Sequence, residues 1–188
     1  MGEKLLEMRH VTKRFGKLIA NRNVDLDLER GEVHALLGEN GAGKTTLMNC
    51  LYGIYAPEEG EILLNGEPLE LSGPKDAIAH NIGMVHQHFM LVPPLTVLQN
   101  IVLGQECKIT PMDLSKARTK VEDLCERYHL QLDLDAKVAD LSVGAQQRVE
   151  LIKALYRGAD ILILDEPTAV LTPPEVEGLF DILRQFVT

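Results

Sequence analysis

An α/β fold that opens on an antiparallel β layer and carries an inserted helical block is predicted by three observations. Residues 5–11 and 24–29 alternate in hydropathy: Val24, Leu26 and Leu28 fall on one face and Asp25, Asp27 and Glu29 on the other, as half-buried strands require. Val33 to Leu37 and Ile161 to Leu164 are short continuous apolar runs, the pattern of parallel strands buried on both faces. Between residues 89 and 157 the pattern turns mostly helical, which splits the predicted α/β core into residues 1–88 and 158–188 and leaves 89–157 as a helical subdomain.

The elements follow in order from local signals. After the two alternating strands and the run at 33–37, a helix is expected at 43–52, closed by Gly53. Further helices are expected at 113–128 and at 142–157, the latter closed by Gly158. The strand at 161–164 comes next, and the last helix starts at Pro173 or Pro174, where proline suits a first turn. No internal repeat and no low-complexity run is present.

With 188 residues, 45% of them hydrophobic, the chain can bury one sizeable core, and a disordered tail is excluded. The formal net charge of −9 argues against binding nucleic acid or an anionic membrane by electrostatics, since either would repel it. No stretch approaches the roughly 20 apolar residues of a spanning helix, and Met1 opens a charged segment, not a signal sequence. Leu6 stands where an N-myristoylation motif needs Ser or Thr. Cys50, Cys107 and Cys125 are odd in number and contain no CxxC pair, as expected of reduced thiols in a cytosolic setting.

The chemistry begins at Gly38–Thr46, reading GENGAGKTT. This is a complete G-x-x-x-x-G-K-T, placed after an apolar strand and opening a helix, as a phosphate-binding loop must be. Gly38, Gly41 and Gly43 let the backbone curl so that N–H groups, including those of Glu39, Asn40 and Ala42, face an anion at a positive helix end. Lys44 supplies a point charge for β- and γ-phosphate oxygens and Thr45 a hydroxyl for Mg²⁺, and Thr46 follows directly as part of the same nucleotide-binding stretch. Downstream, the apolar run Ile161–Leu164 delivers Asp165 and Glu166 at its C-terminal end. Asp165 suits a Mg²⁺ ligand, direct or through water, and Glu166 a general base for a hydrolytic water. An acidic pair after a strand is also what a solvated strand end looks like; the phosphate loop upstream is what favours the functional reading.

A third motif, Leu141-Ser142-Val143-Gly144-Ala145-Gln146-Gln147-Arg148, resembles the signature of ATP-binding cassettes of ABC transporters, usually LSGGQ followed by QQR. Gln87 in MVHQHFM matches the family's Q-loop, and Phe15 in VTKRFG matches the aromatic position that stacks on adenine. The resemblance runs through the whole chain in order and implies a P-loop NTPase core, with ATP and Mg²⁺ as ligands and Gln87 near both the metal and the chemistry. Ser142 is an N-cap residue, and with Gly144 it would meet the γ-phosphate held by a second cassette in a head-to-tail dimer.

The same resemblance implies transmembrane permease subunits as partners and, indirectly, a solute-binding lipoprotein. It implies a place at the cytoplasmic face of the membrane. The apolar stretch Phe89 to Leu98 resembles the contact surface for the permease, with subdomain core as the alternative reading. Val143, Ala145 and Thr172 depart from the common pattern, and those departures are similar to the first cassette of bacterial importers for simple sugars and nucleosides. Ala154-Leu155-Tyr156-Arg157-Gly158 and Ala169-Val170-Leu171-Thr172 favour the nucleoside branch. The family's switch histidine lies beyond one further helix and strand, so a C-terminal truncation, weak turnover of the piece alone and self-association are expected. His86 and His88 read as a strand-end feature and not as a metal pair. A soluble ABC ATPase acting on ribosomes or DNA, and a nucleotide-binding module without turnover, remain the alternatives.

Overall fold

The alternating segments at the start of the chain form a long hairpin, β1 (Lys4–Phe15) and β2 (Leu18–Glu29), joined through Gly16 and Lys17. In this computed structural model, which describes residues 4–87, 89–105 and 114–188, β1 buries Leu5, Leu6, Met8 and Val11, while Arg9 and His10 are exposed and Glu7 is half-buried. The hairpin grows into a four-stranded antiparallel sheet of order β2-β1-β3-β4, with β3 at Glu59–Leu64 and β4 at Glu67–Pro68. Helix α1 (Lys44–Leu51) buries Leu47, Cys50 and Leu51, and a short α2 (Pro74–Ala79) follows. These elements belong to one compact unit, which runs to His80 and takes in Val187–Thr188.

The second unit, Asn81–Phe186, holds a parallel pair, β5 (Ile82–Val85) and β6 (Ile161–Leu164), in the register Ile82↔Ile161 through Val85↔Leu164. Both strands are apolar throughout, as parallel strands tend to be; β5 is buried on both faces, whereas Leu162 and Leu164 of β6 are half-buried. Helices α3 (Val97–Val102), α4 (Leu114–Arg127), α5 (Val143–Tyr156) and α6 (Pro173–Phe186) complete this unit. Its core gathers Val85, Ile101, Val121, Val149, Ile152 and Ile182. Among the described residues no helix is long and apolar enough to cross a membrane.

One predicted strand is not formed. Residues 32–39 carry no regular secondary structure, and Val33 and Leu37 are 53% and 89% exposed. An apolar run becomes a strand only when its N–H and C=O groups join a ladder. Among the described residues neither sheet includes this segment, and the parallel partner of Ile161–Leu164 is Ile82–Val85 instead. The predicted helices at 43–52, 142–157 and 173 onward correspond to α1, α5 and α6 to within a residue or two, and the one at 113–128 to α4. Cys50 is buried and Cys125 half-buried, and burial raises both thiols above their ordinary pKa; Cys107 and His88 lie outside the described residues.

Candidate functional site

In the first unit the phosphate loop is shaped by backbone. Gly41 and Gly43 adopt φ of 83° and 89°, left-handed values that glycine reaches without penalty. At Gly43 space demands glycine as well: a Cβ there would run into the Ala20 carbonyl and lie 2.7 Å from the Asn21 amide nitrogen. Asn21, 6% exposed, donates from Nδ2 to the Gly43 carbonyl at 3.1 Å and so ties β2 to the start of α1. The Lys44 ammonium folds over the loop, donating to the carbonyls of Gly38 (2.7 Å) and Glu39 (2.9 Å), and Ala42 N–H closes a turn on the Glu39 carbonyl at 3.1 Å. No side chain caps α1, so the N–H groups of its first turn keep their capacity to meet an anion. Glu39, Asn40 and Thr45 are exposed and Thr46 half-buried.

Phe15 ends β1 with its ring 42% exposed, edge-on to Tyr55 at 5.1 Å between centroids. The Lys13 ammonium stands 5.4 Å from the Phe15 centroid and is anchored on Glu58 (2.6 Å) and the Ala56 carbonyl (2.8 Å). That ion pair, with the Arg14 N–H, holds the Glu58 carboxyl below its usual pKa. Lys13 is also the ladder partner of Asn21, so the aromatic end of β1 and the anchor of the phosphate loop are set by one stretch of hairpin register.

In the second unit the parallel register does the positioning. Val85 pairs with Leu164, and Asp165 N–H extends the ladder to the Val85 carbonyl at 3.1 Å. Gln87 and Glu166 each stand two residues beyond this last pair, and Gln87 Nε2 donates to Glu166 Oε2 at 3.1 Å. Glu166 takes φ = 48°, a left-handed conformation that is uncommon for a residue with a side chain. Asp165 is half-buried and Glu166 exposed.

Ser142 is the N-cap of α5 in extended conformation, its Oγ accepting from Ala145 N–H at 3.2 Å. Gly144 is buried against Glu175 of α6: a Cβ at Gly144 would lie 2.5 Å from the Glu175 carboxyl carbon and 3.1 Å from its Cγ. Glu175 in turn accepts from the Thr172 N–H (2.9 Å) and hydroxyl (2.7 Å), and these bonds hold its carboxyl below the usual range, with Arg148 adding a smaller effect. Gln147, 3% exposed, donates from Nε2 to the Pro167 carbonyl at 2.7 Å. The sequence reading missed Asn21, Glu175 and the contact made by Gln147. Thr172-Pro-Pro-Glu175 carries a helix-start signal of the kind that would have revealed the second.

The apolar stretch from Phe89 divides in two. Met90 and Val92 are 65% and 38% exposed, whereas Val97 and Leu98 lie in the core. Asn100, fully buried, accepts from Val92 N–H at 2.7 Å and donates to the carbonyls of Val92 and Thr96, while Lys153 Nζ donates to the Met90 carbonyl at 2.9 Å. Burial lowers the pKa of that lysine, and Glu150 at 3.6 Å opposes the shift.

The order of phosphate loop, signature and carboxylate-bearing strand coincides with a match of residues 21–169 to the ABC transporter family. The chain belongs to this family. It is 53% identical over 186 residues to a guanosine import ATP-binding protein of Bacillus subtilis and 54% identical to a nucleoside import ATP-binding protein of Lactococcus lactis, covering 98% of this chain in each case. A ribose import ATP-binding protein of Burkholderia thailandensis is 46% identical over 185 residues. The cassette spans only 36% and 37% of the length of the first two relatives. Among solved structures, an ATP-binding cassette of an ABC transporter in its ADP conformation superposes with a TM-score of 0.86 at 25% identity, covering 97% of this chain and 76% of that one. A dimeric bacterial ABC transporter cassette gives a TM-score of 0.79 at 28% identity, covering 95% and 81%.

Proposed function

We propose that this cassette binds ATP with Mg²⁺ and hydrolyses it to power import of a small solute, a nucleoside first and a simple sugar second, through membrane permease subunits. The observation that carries the reading is the loop Gly38–Lys44: its left-handed glycines and uncapped helix start form a cradle for a polyphosphate, with the Lys44 ammonium folded across it. In this role Gly38 to Thr46 hold the phosphates and Phe15 stacks on the base. Thr45, Asp165 and Gln87 are the residues that would hold Mg²⁺, which would neutralise developing phosphate charge. Glu166 accepts a proton from the water that attacks the γ-phosphorus as the bond to the bridging oxygen breaks and ADP leaves. Gln87, bonded to Glu166 Oε2, orients that carboxylate.

Ser142 and Gly144 at the start of α5 offer a second cassette's γ-phosphate a set of donors, in a head-to-tail pair. The exposed Met90 and Val92, on a loop pinned by Asn100 and Lys153, suit an apolar permease surface. The nucleoside preference rests on the relatives' names, since no residue of an ATPase cassette touches cargo. A solute-binding lipoprotein and a place at the cytoplasmic face of the membrane belong to the same reading. The net charge of −9 leaves nucleic acid an unfavourable partner. Calorimetry on Lys44→Ala tests the core of the proposal: loss of charge-assisted bonds to phosphate costs about 2 kcal/mol of ATP affinity, and an unchanged affinity overturns the assignment.

A further inference from the structure

We propose that Gln147 is a positioning residue for Glu166, acting from helix α5 through the carbonyl of Pro167. The inference rests on the reading of Glu166 as general base. Glu166 sits at φ = 48° and directly precedes a proline, so its turn is disfavoured both by its own Cβ and by the pyrrolidine ring that follows. Such a conformation persists only where the surroundings hold it. Three contacts do so on the strand and turn side: Asp165 N–H to the Val85 carbonyl (3.1 Å), Gln87 Nε2 to the Glu166 carboxylate (3.1 Å), and Ala169 N–H to the Glu166 carbonyl (3.2 Å). The fourth comes from a different element. Gln147 is 3% exposed, and its Nε2 reaches the Pro167 carbonyl at 2.7 Å, the shortest of the four.

The donor's place on α5 gives the contact its function. Gln147 stands five residues after the N-cap Ser142 and three after Gly144, within the helix whose start is the proposed contact for a second cassette's nucleotide. A helix is stiff along its first turns, so displacement of the Ser142 end is delivered to the Pro167 peptide and from there to the Glu166 backbone. Glu175, which lies close against Gly144, is bonded to Thr172 at the end of the Pro167 loop, so the same helix start meets that loop at a second place. The arrangement makes occupancy of the signature a condition on the geometry of Glu166, transmitted by the Gln147 side chain to the backbone of the turn.

The test uses the full-length protein and ATP, with Gln147→Met, which keeps length and bulk but removes the donor, and Gln147→Glu, which keeps the shape and turns the donor into an acceptor facing a carbonyl. In steady state both lower kcat about tenfold or more while the KM for ATP moves less than about twofold, the mark of a misplaced catalytic group and not of lost binding. In single-turnover reactions Gln147→Met slows the wild-type background by the same factor but the Glu166→Gln background by less than about twofold, because there is no base left to misplace. An unchanged kcat, an equal slowing in both backgrounds, or a KM that rises in step with the fall in kcat overturns the proposal. Failure of the underlying reading shows separately, as a Glu166→Gln protein that turns over ATP at the wild-type rate.

Discussion

Replacing Gly144 by alanine sets two effects of opposite sign against each other. Gly144 lies in the first turn of α5, where alanine in place of glycine ordinarily stabilises a helix by about 1 kcal/mol. In this fold the new methyl group would stand 2.5 Å from the Glu175 carboxyl carbon and 3.1 Å from its Cγ, well inside contact distance for both. Terminal carboxylate oxygens swing aside easily, but Cγ moves only if the whole side chain leaves, and then Thr172 N–H and Oγ1 lose their acceptor at the start of α6. Gly144→Ala therefore destabilises the native sequence, and in a Glu175→Ala background, where the obstacle is gone, it stabilises by about 1 kcal/mol. Urea denaturation of the four proteins in this double-mutant cycle reads the reversal directly. Gly144→Ala shifting stability in the same direction and by the same amount in both backgrounds would refute the argument that Glu175 is what requires glycine there.

Three further outcomes follow from the same geometry. Asn100→Leu leaves Val92 N–H without its buried acceptor and removes one of the donors to the Val92 and Thr96 carbonyls, and it costs about 2 kcal/mol by urea denaturation, with faster proteolytic cleavage between residues 89 and 96. The Glu175 carboxyl, held below its usual pKa by Thr172, contributes stability that is complete above about pH 4.5 and is lost as pH falls through its lower folded value. Thermal melts should accordingly show Glu175→Gln less stable than wild type at pH 7 and the gap closing toward pH 3. In the full-length protein Glu166→Gln retains ATP binding by calorimetry and loses most phosphate release, because an amide cannot accept the proton of the attacking water.

What the sequence made legible were features written in local chemistry. Ser142 reads as an N-cap and is one; Gly43 and Lys44 mark the loop-to-helix junction where α1 starts; the alternation through Val24, Leu26 and Leu28 becomes an exposed-and-half-buried strand face. Val33–Leu37 failed because apolar content specifies burial only where a ladder is there to receive it, and ladder partners are a property of distant chain. β5 and α3, four and six residues long, are too short for periodicity to show. The Asn21–Gly43 and Gln147–Pro167 bonds span 22 and 20 residues and leave no local trace. Thr172–Glu175 and Thr96–Gln99 do leave one, a hydroxyl followed three residues later by an acid or amide: Thr96 and Gln99 form the reciprocal pair, and at Thr172 both the N–H and the hydroxyl donate to the Glu175 carboxylate.

The position of β2 at the rim of its four-stranded sheet has a consequence for how the molecule meets its neighbours in solution. Twelve residues of outward-facing backbone would ordinarily invite another chain to add a strand. Here Asn23 breaks the extended run at φ = 50°, the ladder to β1 shifts register four times along its length, and Asp25 and Asp27 expose carboxylates beside the open groups. An incoming strand would find neither a straight template nor a neutral one, and a second copy of the same rim would bring like charge against it. Among the described residues, the long β2 edge of this sheet is thereby a poor seed for intermolecular sheet growth.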